Sequence, residues 1–176
     1  MTLEEFGYSA WFSGQVDPEQ DAGLRPVRVV EVHKGECAVS DGARICPAKM
    51  TGRLRHRARS RLDYPTVGDW VLAKDFDGED FASIQRILRR RTELKRKSAG
   101  RSSRAQLVAA NIDTVCIMQT LGPGYNLRRL ERYLLMAHES GAGAVVLLSK
   151  SDLPAPKQLE QRRADLGRRM PTEDLY

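Results

Sequence analysis

Residues 144–152 read Ala-Val-Val-Leu-Leu-Ser-Lys-Ser-Asp, an apolar run that ends in Ser149-Lys150-Ser151-Asp152. These residue types at this spacing form a variant of the Asn/Thr-Lys-x-Asp guanine-recognition pattern. A carboxylate such as Asp152 can accept two hydrogen bonds, from the N1–H and the exocyclic amine of guanine, a pair that adenine cannot supply. The Lys150 stem can lie along the base while its ammonium tethers neighbouring loops. Ser149 keeps a hydrogen-bonding group where Asn is usual, but a shorter one. The bland alternative is a solvated turn that caps the helix after Pro154. An apolar strand before the tetrad and a helix after it supply the context that guanine recognition needs, since ligands of α/β sheets sit at the carboxyl ends of strands.

A second constellation is basic. Arg53, Arg55, Arg57, Arg59 and Arg61 alternate without a break. On a β-strand, period 2 would put all five on one face, with Leu54, His56 and Ala58 on the other. Such a row repels itself unless a polyanion neutralises it. Five phosphate contacts would give RNA binding a log–log salt slope of roughly −3.5 to −4.5. The alternative is a sheet edge kept soluble by charge. Aromatic stacking partners are scarce, Tyr64 and Trp70 being the nearest, so backbone or shape recognition is expected rather than base reading. Basic residues gather again from Arg86 to Arg104, where nine cations face the single acid Glu93. That stretch is more positive than the whole chain, whose net charge is +6. Lys95, Arg96, Lys97 and Arg101 from it join the candidate RNA ligands.

Other motifs carry less. Asp75-Phe76-Asp77-Gly78 matches D-x-x-G, but in a position that reads as a hairpin turn. Gly122-Pro123-Gly124 has no Lys-Ser/Thr behind it to make a phosphate loop. His33, His56 and His138 are scattered, and Cys37, Cys46 and Cys116 form no C-x-x-C pair, so neither a metal site nor a catalytic dyad is expected and the thiols read as reduced. The first residues lack an apolar leader core and no run of about 18 apolar residues occurs. A cytoplasmic protein without membrane partners is therefore expected.

The elements that must position these groups fall into two patterns. Residues 1–24 hold a short helix over 2–12, with Thr2 and Glu5 as a capping box, and a polar loop over 17–23. Residues 25–90 hold closely spaced strands: 27–32, 37–39 and 43–46 around Ser40-Asp41-Gly42, an alternating run over 49–61, then 69–74 and 81–88. About five short strands predict a small β-barrel, either an OB-fold or an SH3-like barrel. Residues 91–106 read as a basic linker. Residues 107–176 alternate strand and helix, with strands at 113–119 and 144–148 and helices at 127–140 and 156–169, which predicts a parallel sheet with a right-handed crossover. Asn126 is the expected N-cap and Gly141 the C′ residue of the first of these helices. Two strands are about a third of an α/β domain.

Ordinary GTPases place the guanine pattern far downstream of the phosphate-binding loop, yet no G-x-x-x-x-G-K-[ST] occurs in the 176 residues. The tetrad is either a decoy or the opening of a circularly permuted domain. Several segments favour the second reading: Arg28-Val29-Val30-Glu31-Val32, Gly52-Arg53-Leu54-Arg55, Val67-Gly68-Asp69-Trp70-Val71, Arg96-Lys97-Ser98-Ala99-Gly100, Ala109-Ala110-Asn111-Ile112-Asp113 and Asn126-Leu127-Arg128-Arg129-Leu130-Glu131-Arg132-Tyr133-Leu134. Together these resemble the N-terminal portion of the bacterial small-subunit-dependent GTPase A (RsgA-type) family. The resemblance implies a mixed fold, an OB-like five-stranded barrel followed by the first part of a circularly permuted P-loop GTPase domain. It also implies binding to the small ribosomal subunit and its rRNA during late maturation, GTP or GDP with Mg²⁺ as ligand, and Ser149, Lys150 and Asp152 at the guanine. Ser149 departs from the commoner Asn or Thr. The family's phosphate loop, switches and C-terminal zinc domain have no counterpart in these residues, so this chain alone is expected to be inactive and monomeric. A stand-alone rRNA-binding module without enzymatic activity is the alternative.

Overall fold

In the computed structural model, residues 1–33, 36–74, 76, 81–97 and 105–169 are described. They form two compact units, Met1–Asn111 and Ile112–Tyr176.

The first unit is built on a closed barrel of order β1-β2-β3-β5-β4, from β1 (Arg25–Val32), β2 (Cys37–Ser40), β3 (Ile45–Met50), β4 (Trp70–Lys74) and β5 (Ala82–Ile87). Alternation in β1 sends Val27 and Val29 inward, where they meet Val39, Ala48, Val71, Ala73, Phe76 and Ile84. The β2–β3 hairpin turns where the sequence predicts, with Gly42 at φ 91° and the Asp41 carboxylate accepting from the amides of Ala43 and Arg44. A parallel pairing of β3 with β5 (Ala48↔Ala82, Met50↔Ile84) closes the barrel. This is the five-stranded Greek-key closure of an OB-fold.

Three expectations change. The alternating run over 49–61 is not a strand: β3 stops at Met50 and α2 (Gly52–Arg57) follows, capped by the Thr51 hydroxyl on the Leu54 amide. Arg, Leu and Ala are good helix formers, and no β-branched residue lies between 52 and 63 to favour a strand. The stretch 91–106 contains β6 (Glu93–Lys97), which pairs antiparallel with β7 (Ala105–Ala110) inside the first unit. Its basic composition hid a ladder on which Lys95 and Arg96 are exposed. The N-terminal helix is a single turn at Thr2–Glu5, where the reciprocal hydrogen bonds do form, and it breaks at Gly7 (φ 99°) before α1 (Ala10–Ser13). That segment instead packs Phe6, Tyr8 and Phe12 around buried Trp70 on the outside of the barrel, with ring centroids 4.9–6.0 Å apart.

Gly68 explains how tightly β7 docks. A Cβ there would lie 1.9 Å from the Ala110 carbonyl oxygen, and its φ of 90° also favours glycine. Buried Asn111 finishes the clasp: its Oδ1 accepts from the Arg91 amide and its Nδ2 donates to the Gly68 carbonyl.

The second unit is β8 (Thr114–Thr120), α3 (Leu127–Ser140), β9 (Gly143–Ser149) and α4 (Pro156–Gly167), with β8 and β9 parallel and in register from Thr114↔Gly143 to Thr120↔Ser149. Asn126 caps α3 through the Arg129 amide and Gly141 ends it at φ 79°. Ile117, Leu121, Leu130, Val146 and Leu166 make its core.

Candidate functional site

The Ser149–Asp152 tetrad begins at the carboxyl ends of the two parallel strands. Ser149 is the last residue of β9, paired with Thr120 at the end of β8, and its carbonyl accepts from the Leu121 amide at 2.8 Å. Lys150 then turns the chain sharply, with φ at 58° in the left-handed region that a non-glycine residue seldom adopts. The turn closes when the Leu153 amide donates to the Lys150 carbonyl at 3.3 Å. Lys150, Ser151 and Asp152 are thereby exposed beyond the strand ends, while Ser149 is half-buried. Among the described residues the Asp152 carboxylate has no hydrogen-bonding or ionic partner, so both of its acceptor edges are available.

The loops after the two strands brace each other. A Cβ on Gly122 would meet the Leu153 Cδ1 at 2.8 Å, so the close packing of the 121–125 and 150–155 loops depends on that glycine. Arg162 of α4 donates to the Leu121 carbonyl and stacks over Tyr125, 5.0 Å from its ring centroid. The Tyr125 hydroxyl in turn donates to the Arg162 carbonyl at 3.4 Å. Neither Gly122 nor Arg162 stands out in the sequence as part of this site. The i, i+37 spacing of Tyr125 and Arg162 leaves no local signal.

The five alternating arginines are brought together differently from expectation. Arg53, Arg55 and Arg57 lie on α2, Arg59 in the loop after it, and Arg61 opens the 3₁₀ turn Arg61–Asp63. All five are exposed and, among the described residues, none has an acidic partner. They form a cluster around a short helix and a turn, not a row along one sheet face. Leu54 packs between them onto the barrel core and fixes the helix. A capping box holds the turn: the Ser60 hydroxyl accepts from the Leu62 amide, and the Asp63 carboxylate accepts from the amides of Arg59 and Ser60, both at 2.8 Å. Those amide bonds hold the Asp63 carboxyl below its ordinary pKa.

The second group of candidate ligands is more heavily engaged. Lys95 is ion-paired with Glu93, and both Arg96 Nε and Nη2 donate to the Gln106 side chain across the β6–β7 ladder. Lys97 ends β6, and Arg101 falls outside the described residues, as do Asp75, Asp77 and Gly78 of the D-x-x-G match. Arg90, one of the nine cations of the basic stretch, is largely buried. Its Nε and Nη2 grip the two oxygens of fully buried Asp69 at 2.7 and 2.8 Å. Burial pushes the Asp69 carboxyl upward against the pull of Arg90 and of the Thr66 amide. Among the described residues no three His, Cys, Asp or Glu side chains converge. Nor, among the same residues, is any helix long and apolar enough to cross a membrane.

Comparison with known proteins joins the two units. The sequence profile of the RsgA GTPase matches residues 87–170. A small ribosomal subunit biogenesis GTPase RsgA from Opitutus terrae is 38% identical over 162 residues, covering 87% of this chain and 44% of its own length. RsgA 1 from Oceanobacillus iheyensis is 37% identical over 153 residues, with 87% and 43% covered. The chain thus spans less than half the length of these relatives. Among solved structures, YloQ, described as a circularly permuted GTPase, superposes with a TM-score of 0.63 at 17% identity over 92% of this chain and 53% of its own. YjeQ from Thermotoga maritima superposes with the same TM-score at 22% identity over 82% and 48%. With 38% and 37% identity to these RsgA proteins over 87% of its length, the chain belongs to the RsgA family.

Proposed function

We propose that these residues form the rRNA-binding barrel and the guanine-recognition part of a GTPase that acts in small-subunit biogenesis. The observation that carries the reading is Asp152, a carboxylate without a partner among the described residues, lifted beyond the ends of two parallel strands by the left-handed Lys150. In this proposal Asp152 accepts from the guanine N1–H and amine, Lys150 lies along the base, and Ser149 and Ser151 line the turn. Hydrolysis of GTP, with Mg²⁺ on its phosphates, belongs to the intact protein, since residues 1–176 contain no phosphate loop. Guanine contacts alone give weak binding. The exposed arginines of α2 and the following turn meet the rRNA of the small subunit, and the protein works in the cytoplasm as a monomer.

Substitution of Asp152 in the intact protein tests the reading. Asn at this position presents one acceptor and one donor, a match for the N1–H and 2-carbonyl of xanthine and a clash with the guanine amine. Asp152→Asn is expected to weaken GDP binding by roughly a hundredfold or more and to gain affinity for xanthosine diphosphate. Unchanged GDP affinity would remove Asp152 from the base site. The closed barrel by itself also fits a purely RNA-binding role. In that case nucleotide would leave small-subunit binding unaltered.

A further inference from the structure

Arg90 belongs by sequence to the basic stretch from Arg86 to Arg104, where it reads as one more phosphate ligand. Its surroundings exclude that use. The side chain is only 10% exposed, and every arm of the guanidinium is engaged. Nε and Nη2 hold Asp69, which is fully buried at the entry to β4. Nη1 donates to the Leu62 carbonyl at 2.7 Å and reaches Glu93 at 3.4 Å, and Nη2 donates to the Tyr64 carbonyl at 3.0 Å. Leu62 lies inside the 3₁₀ turn that Arg61 opens, and Tyr64 follows it directly. The Asp69 carboxylate meanwhile takes the Thr66 amide at 2.9 Å. One fork of donors therefore fastens the end of the arginine-bearing connection, the start of β4 and the start of β6 together. Beside this fork, Leu54 anchors α2 to the barrel core and the Ser60–Asp63 capping box closes the turn, yet no residue of α2 or of the 3₁₀ turn is itself fully buried.

We propose that the Asp69–Arg90 pair is a positioning device for RNA recognition, which holds the connection bearing Arg53, Arg55, Arg57, Arg59 and Arg61 in one conformation so that the cluster meets phosphates already ordered. The inference rests on the reading of that cluster as the rRNA contact. Arg90 touches no RNA in this account. It acts through the backbone carbonyls of Leu62 and Tyr64 and removes an entropy cost that a loose connection would meet on binding. Only a planar fork makes these contacts at once, so lysine cannot replace it.

The test uses Arg90→Lys in the whole chain, with co-sedimentation on small ribosomal subunits and amide hydrogen exchange as readouts. A direct phosphate contact would survive the change, because lysine is itself a good phosphate binder. The positioning role predicts loss on the order of tenfold in apparent affinity, together with faster exchange at Leu62 and Asp63 while Val29, Val39 and Ile84 in the barrel stay protected. Affinity like that of the unaltered chain, or unchanged exchange at Leu62 and Asp63, overturns the proposal. Arg53, Arg55 and Arg57 changed together to Ala serve as the control. If that triple variant binds subunits normally, the cluster is not the RNA contact, and both the reading and the device fall. If it binds weakly while Arg90→Lys binds normally, the device alone falls. Should Arg90→Lys fail to fold, Asp63→Asn loosens the same turn from its exposed side without touching Asp69. It is expected to weaken sedimentation in the same direction, and normal sedimentation of that variant overturns the proposal.

Discussion

The barrel and the α/β unit handle their backbone edges in opposite ways. In the barrel every strand has two neighbours, and the parallel β3–β5 pair leaves no open edge. Among its described residues the α/β unit has two strands and therefore two open edges, with helices packed on one face. Its other face carries Cys116, Met118 at 68% exposure and Leu147 at 36%. Parallel sheets are normally covered on both faces, whereas one face of this sheet is exposed among the described residues. The lesson is that one chain can hold a closed, self-sufficient barrel beside a sheet whose own support is partial.

The largest effect should come from the barrel's clasp. Gly68→Ala puts a Cβ into the Ala110 carbonyl and strains a φ of 90°. It is expected to destabilise the first unit by at least about 3 kcal/mol, read as a fall in the denaturant midpoint of Trp70 fluorescence. A cost under about 1 kcal/mol would mean that β7 is not clasped to the barrel as described. The α/β unit sharpens the contrast next. Val146→Ala, on the covered face, is expected to cost about 1–3 kcal/mol, and Met118→Ala, on the bare face, less than about 0.5. Equal costs would show that the bare face is covered in solution. In the same comparison, amides of β8 and β9 should exchange faster than those of β1 and β4, and equal protection would break it. The smallest effect is electrostatic. The Asp63 carboxyl is held below its ordinary value by the Ser60 and Arg59 amides, so its contribution is complete above about pH 4 and is lost as pH falls through its lowered folded value. Asp63→Asn should flatten the acid limb of stability in that window, and an unchanged limb would remove this cap from the account.

Legibility in the sequence followed the range of the signals. The strand over 27–32, the Asp41-Gly42 turn, the Asn126 cap and the Gly141 terminus are local, and each is where its residue types predict. The strand, turn and helix around Ser149–Asp152 were readable because they follow one another without a break. What was missed depends on distance. Arginine alternation has the period of a strand, but a Thr51 cap and the absence of β-branched residues made it a helix. The strand at Glu93–Lys97 was hidden because its partner begins only at Ala105. Arg90 looked like its neighbours until Asp69, twenty-one residues away, accounted for its burial.

The most direct test of the account is a salt series of chain binding to small ribosomal subunits, without nucleotide, for the unaltered chain and for the Arg53, Arg55 and Arg57 to Ala variant. The account predicts a log–log slope of roughly −3.5 to −4.5 for the former and a slope shallower by about 2.1–2.7 for the variant, from three lost phosphate contacts. Binding that ignores salt, or equal slopes for the two proteins, would contradict it.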